Sequence, residues 1–183
     1  KHATRQLGLI NFAMNHVKEA VYLADEFGRF QYVNDESCRM LGYPRETLLG
    51  MRVLDVDHNV KSDADWTAEW TRQKQLRTSL FESEHIDHAG HPIPVEVNAN
   101  LFEFDGKAYV LGLVRDISER RRNEEQIRNL AFFDPLTNLP NRRLLMDRVN
   151  QAMASGQRCG QYGGLLMLDL DHFKNLNDTQ GHD

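Results

Sequence analysis

The run Asp169-Leu170-Asp171-His172-Phe173-Lys174-Asn175-Leu176-Asn177-Asp178, followed by Gly181-His182-Asp183, gathers carboxylates, amides, histidines and a lysine in one short stretch. It comes directly after the apolar residues Leu165-Leu166-Met167-Leu168. An apolar strand over 164–170 would deliver acids at its carboxyl end, where a helix over 171–178 begins. Hard divalent cations take oxygen ligands, and magnesium keeps water and phosphate oxygens in its shell. Free backbone N–H groups at a helix start suit phosphate. The residues alone therefore support a metal and nucleotide-phosphate site. They fit equally well a strand end with solvated acids and helix caps.

The rest of the chain must position this run. The 183 residues suffice for one domain and part of a second. Hydrophobic residues make up 40% and charged residues 27%, ordinary values for a globular protein. A net charge of -5 provides no general attraction for nucleic acid or anionic membrane. No apolar run is long enough to span a bilayer, and no secretory signal is visible at the start. The first residue is Lys1, so a piece of a longer, cytoplasmic protein is expected. Cys38 and Cys159 stand far apart in no ligand-like spacing, which reads as two free thiols in a reducing compartment.

Leu7, Ile10, Met14 and Val17 recur at helical spacing. Strands are expected over 20–24 and 30–33, joined by the turn Asp25-Glu26-Phe27-Gly28. Asn34 fits the N-cap of a short helix closed by Gly42. Pro44 opens another at its first turn. A longer helix over 63–76 carries Trp66 and Trp70 on one face. Three strands follow, over 81–86, 93–104 and 108–114. In the second of these, Ile93, Val95, Val97, Ala99 and Leu101 alternate with polar residues. Phe102 and Phe104 break that phase and suggest a bulge. Asp105-Gly106 marks a hairpin. Tyr109-Val110-Leu111-Gly112-Leu113-Val114 does not alternate, so both faces of the last strand should be covered. The amino-terminal helix or a second copy of the chain would cover the outer one.

Two strands, several short helices and three strands resemble the PAS domain family. The resemblance rests on Ala20-Val21-Tyr22-Leu23-Ala24-Asp25, Tyr32-Val33-Asn34, Leu41-Gly42-Tyr43-Pro44, Leu48-Leu49-Gly50 and Val114-Arg115-Asp116-Ile117-Ser118-Glu119-Arg120. It implies an α+β fold, a five-stranded antiparallel sheet with flanking helices, over 1–117. A linker helix is expected over 118–132, opened by a capping box of Asp116 and Glu119. Its residues Ile117, Ile127, Leu130 and Ala131 offer a narrow seam to a partner chain.

Two further patterns resemble the opening of the GGDEF domain of diguanylate cyclases, an α/β, palm-like fold, over 133–183. One is Asp134-Pro135-Leu136-Thr137-Asn138-Leu139-Pro140-Asn141-Arg142-Arg143, expected to open a helix through Ala154, with a glycine-rich loop over 155–164. The other is the acidic run. The resemblance implies that Asp169 and the carbonyl of Leu170 bind Mg²⁺ or Mn²⁺. It places the backbone of His172 and Phe173, and Lys174, toward the GTP triphosphate, and Asn177 on guanine. Asp171, Arg142 and Arg143 match the pattern, with a structural role equally open to each. The family joins two GTP molecules into cyclic di-GMP across two facing domains, so a homodimer is implied. The Gly-Gly-Asp/Glu-Glu-Phe loop does not occur in these residues, and the chain by itself is expected to be inactive.

For the sensor ligand the sequence offers little. The Asn-Cys-Arg-Phe-Leu pattern of flavin light sensors of this fold is absent around Cys38, which reads as a small buried residue. His58, in Asp55-Val56-Asp57-His58-Asn59, is the best placed haem ligand, or else a loop histidine. His85, His88 and His91 cluster at a hairpin turn and read as surface. Trp66 and Trp70 would line a pocket or pack the helix. A small metabolite or no ligand remains open. The leading function is the regulatory portion of a PAS-controlled diguanylate cyclase. The alternative is a ligand-binding and dimerisation module attached to a degenerate GGDEF domain, serving a phosphodiesterase.

Overall fold

The computed structural model describes residues 2–160 and 162–168. They fall into two compact units, residues 1–124 and 125–183.

The first unit opens with helix α1 (His2–Asn15) and continues through β1 (Ala20–Asp25), β2 (Phe30–Val33), α2 (Asp35–Leu41) and α3 (Arg45–Leu48). A 3₁₀ turn (Val53–Asp55) leads to α4 (Asp63–Leu76), then to β3 (Thr78–Ile86), β4 (Pro92–Phe104) and β5 (Lys107–Asp116). The five strands form one antiparallel sheet in the order β2-β1-β5-β4-β3. The core lies between the sheet's inner face and the short helices. Ala20, Phe30, Val33, Leu41, Leu48, Val56, Val95 and Val114 meet there.

Asn34 shows how a local signal becomes tertiary structure. Its side chain caps α2 by accepting from Ser37 N at 2.9 Å. The same Oδ1 accepts from Val21 N of β1, and Nδ2 donates to the carbonyls of Met14 and Glu19. A fully buried amide is tolerated because every polar atom is used. In the β1–β2 turn, Gly28 adopts φ 75°, and a Cβ there would lie 3.0 Å from Cε2 of Trp66. Glycine thus serves the turn and the close approach of α4 together.

Three expectations about local geometry need correction. β4 runs through Phe104 against β5 with no register shift, and the irregularity lies instead between Leu23 and Ala24 of β1. Phe102 and Phe104 face outward with Asn98 and Asn100, and Phe102 stacks on Tyr109 with ring centroids 6.0 Å apart. The apparent phase break was an apolar patch on the outer face. Pro44 precedes α3 rather than standing in its first turn. Asp116 accepts from Ser118 N at 2.7 Å, two residues on, and the return bond of a capping box from Glu119 is not formed.

Helix α5 (Ser118–Phe132) starts in the first unit and ends in the second. In the second unit, the segment after it is a turn, not the expected helix start. The Asp134 carboxylate accepts from Leu136 N, Thr137 N and Thr137 Oγ1, and Asn138 takes φ 54°. These bonds, led by those from Thr137, hold the Asp134 carboxyl below the usual carboxylate range. Helix α6 begins only at Arg142, capped by Asn141, and continues to Cys159, through residues expected to form a glycine-rich loop. Residues 162–168 are exposed and form no strand, where a buried one was expected to begin at Gly164. A strand needs a neighbour to pair its N–H and C=O groups, and none is present among the described residues. Residues 169–183, with every metal and GTP ligand implied above, lie outside the described residues.

Candidate functional site: a cavity under the sheet

A cavity of about 540 Å³ lies between the inner face of the sheet and α4. Strand alternation decides who lines it. On β3, Phe81, Ser83 and His85 point inward, while Leu80, Glu82 and Glu84 point to the other face. Val97 and Ala99 of β4 and Val110, Gly112 and Val114 of β5 supply an apolar ceiling. Helix α4 contributes Trp66 and Trp70, four residues apart and so on one face. Their ring centroids are 5.8 Å apart at an interplanar angle of 36°. Both roles proposed for the pair hold: each packs in a core cluster and each lines the cavity. Trp66 Nε1 donates to the carbonyl of Glu26 at 2.9 Å, which fixes one indole.

The polar end is built by the segment after the 3₁₀ turn. Residues 56–58 run beside β3, with His58 N donating to Glu84 O and Ile86 N to Val56 O, so that Asp57 sits opposite His85. Asp57 Oδ1 accepts from Ser83 Oγ at 2.8 Å and Asn59 N at 2.9 Å. Asp57 Oδ2 lies 3.8 Å from Nε2 of His85, beyond hydrogen-bond reach. Among the described residues, His85 Nδ1 is buried without a hydrogen-bond partner, as is the hydroxyl of Tyr22. Burial lowers the His85 pKa, with Asp57 opposing, so the imidazole is neutral near pH 7. Burial likewise raises the Tyr22 phenol.

This corrects the surface reading of His85 and decides between the two readings of His58. His85 is buried in the cavity wall, not on the surface, because it falls on the inward phase of β3. His58, read as the best placed haem ligand or else a loop histidine, is an exposed loop residue, because the neighbours on either side of it, Asp57 and Asn59, take the inward bonds. His88 and His91 are exposed as expected. Cys38 is half-buried and packs against the core. Among the described residues, no group of three or more histidines, cysteines and carboxylates is placed to hold a metal ion. The Asp57–His85 pair was missed by sequence reasoning. Its only sequence signal was the alternation of Phe81, Ser83 and His85.

The other face of β3 holds the linker helix. Glu82 pairs with Arg120, and its Oε2 accepts from Arg121 Nη2 at 2.6 Å. Arg120 also reaches Glu96 at 3.3 Å. Hydrogen bonding by Arg121 is the leading cause of the lowered Glu82 pKa. Ile117, just before α5, is almost fully buried, and its N–H donates to Pro94 O. Each residue of β3 from 81 to 83 therefore touches either the cavity wall or the start of the outgoing helix.

The first unit matches a known family. The PAS domain family description matches residues 18–119. The chain belongs to the PAS domain family. Further along the chain, residues 131–183 match the description "Diguanylate cyclase, GGDEF domain". An uncharacterised signalling protein of Caulobacter vibrioides is 35% identical over 159 residues, 85% of this chain and 19% of that protein. The probable diguanylate cyclase DgcE of Escherichia coli is 26% identical over 177 residues, 94% of this chain and 16% of that protein. The chain thus spans less than a fifth of the length of these two curated relatives. The crystal structure of a PAS domain from a two-component sensor histidine kinase superposes with a TM-score of 0.55 at 25% identity. It covers 62% of this chain, which in turn covers 98% of it. Among the described residues, no helix is long and apolar enough to cross a membrane.

Proposed function

We propose that this chain is the sensory portion of a cytoplasmic, PAS-controlled diguanylate cyclase. The observation that carries the reading is the succession itself: a PAS domain, one helix, and the opening of a GGDEF domain. Residues 1–117 sense, 118–132 transmit, and 133–183 begin the catalytic domain. The PAS cavity receives the signal. The outer sheet face and the linker helix pair two copies, as a reaction between two GTP-loaded domains requires. Leu23, Leu111 and Leu113 support that pairing, because they share the outer face and are only half covered.

In the catalytic part, Asp169 and the carbonyl of Leu170 are the residues that would hold Mg²⁺ or Mn²⁺. Divalent metal ions serve the GGDEF cyclase family generally. When bound, such an ion neutralises phosphate charge and lowers the pKa of the attacking 3′-hydroxyl. The backbone of His172 and Phe173 and the Lys174 ammonium would face the triphosphate, and Asn177 would hydrogen-bond guanine.

The test is cyclic di-GMP formation from GTP and Mg²⁺ by the protein with its GGDEF domain complete. Product is expected, and Asp169→Ala should abolish it. Retained turnover in that variant would remove the metal assignment. A folded dimer that makes no product would leave the cyclase reading without support.

A further inference from the structure

We propose that the PAS cavity binds a small organic amine in its cationic form, with an aromatic or apolar body, Asp57 taking the ammonium and Trp66 and Trp70 the body. The inference rests on the reading of the cavity as the place where the signal enters, and it adds the chemistry of the ligand.

Four observations carry it. First, the cavity is of ligand size, at about 540 Å³, and mostly apolar in its walls. Second, Asp57 is buried in its lining, and the hydrogen bonds made to its carboxylate all go to Oδ1. Oδ2 is left with only the 3.8 Å approach of a neutral imidazole. A buried carboxylate with an uncommitted oxygen is stabilised by a cation. Third, His85 is buried in the same wall with Nδ1 unpartnered, and a neutral imidazole nitrogen there accepts from an ammonium N–H. Fourth, the fixed charges around the space favour a cation. Among the described residues, the one cationic side chain in the lining, Arg72, is paired with Glu69 at 3.0 Å and lies over Phe81. The Asp65 carboxylate is engaged in capping α4 through Ser62 and Lys61 N. An anionic ligand would meet Asp57, Asp65 and Glu69 with no free cation among the described lining residues to balance them.

The aromatic pair supplies the rest. An indole face attracts a cation electrostatically and stacks on a flat body. Lys74 Nζ lies 5.8 Å from the Trp70 ring centroid, so this ring already takes an ammonium from one side.

The chain provides its own reporter, because its two tryptophans are Trp66 and Trp70, both in the cavity wall. The full chain is titrated with phenethylamine, 2-phenylethanol and phenylacetate, reading tryptophan fluorescence excited beyond phenyl absorption. Phenethylamine should bind at least about tenfold more tightly than the neutral and anionic probes. Asp57→Asn keeps an acceptor for Ser83 and Asn59 but removes the charge, and should erase that preference while saturable binding remains. The proposal is overturned if the alcohol binds as tightly as the amine, if phenylacetate binds more tightly, if no probe saturates, or if Asp57→Asn keeps the full preference. If Asp57→Asn does not fold, the selectivity of the unaltered chain decides the matter alone. Binding is read without turnover, so failure here leaves the cyclase reading standing, and failure of that reading leaves this one.

Discussion

Neighbouring residues on β5 show how differently the two faces of one sheet are treated. Val114 points inward and is 3% exposed, whereas Leu113, one residue away, is only half covered. The inner face is closed by helices from the same chain and keeps a cavity whose polar groups are neutral or hydrogen-bonded. The outer face carries Leu23, Leu111, Leu113, Tyr109 and Phe102, and at its β3 edge Glu82 and Glu96 hold Arg120 and Arg121. Helix α1, expected to cover this face unless a second copy did, leaves Leu9, Ile10 and Phe12 exposed. An apolar face that its own chain leaves half open is suited to a partner, while a closed face is suited to a small ligand.

The largest effect should come from the inner face. Leu48 is fully buried, and Leu48→Ala should lower stability by about 2–5 kcal/mol, read by chemical denaturation of the PAS unit. Leu113→Ala should cost about 1 kcal/mol or less at low protein concentration. Equal losses from the two would erase the distinction between the faces.

Leu111→Arg addresses the outer face directly. Light scattering should show dimer association weakened by at least about two orders of magnitude, with the monomer still folded. A chain that is monomeric before substitution, even at high concentration, would refute the outer face as an interface.

The buried imidazole gives a pH dependence confined to the inner face. The folded His85 pKa lies below the ordinary value, so the unfolded chain binds the extra proton on acidification. Its contribution is complete above pH 6.5 and is lost as pH falls below it. Between pH 7.5 and 5.5 the unaltered PAS unit should lose up to about 1.4 kcal/mol through this group. His85→Gln should flatten that window, and an unchanged slope would show that another group governs it.

The smallest stability effect should come from Glu82→Gln, since exposed ion pairs are screened by salt. Its expected mark is on transmission: in the completed protein, ligand-dependent turnover should lose its response while basal turnover persists. An unaltered response would place the coupling elsewhere, at Ile117 first.

Much of this architecture was legible in the residues. Asn34 and Gly42 bound α2, and Ser62, unremarked in the sequence, caps an α4 whose bounds of 63 and 76 were anticipated. Asp105-Gly106 turns with both residues at positive φ, as the hairpin requires. These are local signals, fixed by a few adjacent residues, so a sequence contains them. The acidic run at 169–178, which reads as a metal and phosphate pattern or as a strand end with helix caps, lies outside the described residues. The cavity was not legible. Its character depends on Asp57 meeting His85 across 28 residues of chain and on Trp66 resting against Gly28, and such meetings are set by how α4 and the 56–58 segment dock on β3. His58 and His85 look alike in sequence, and only strand phase and pairing put one in solvent and the other in the wall. The sequence by itself determined most elements of the PAS unit, their order and the family, because capping, turns and alternation act over a few residues. Tertiary structure decided which polar groups were left without partners, because burial and pairing are properties of surfaces brought together from distant parts of the chain.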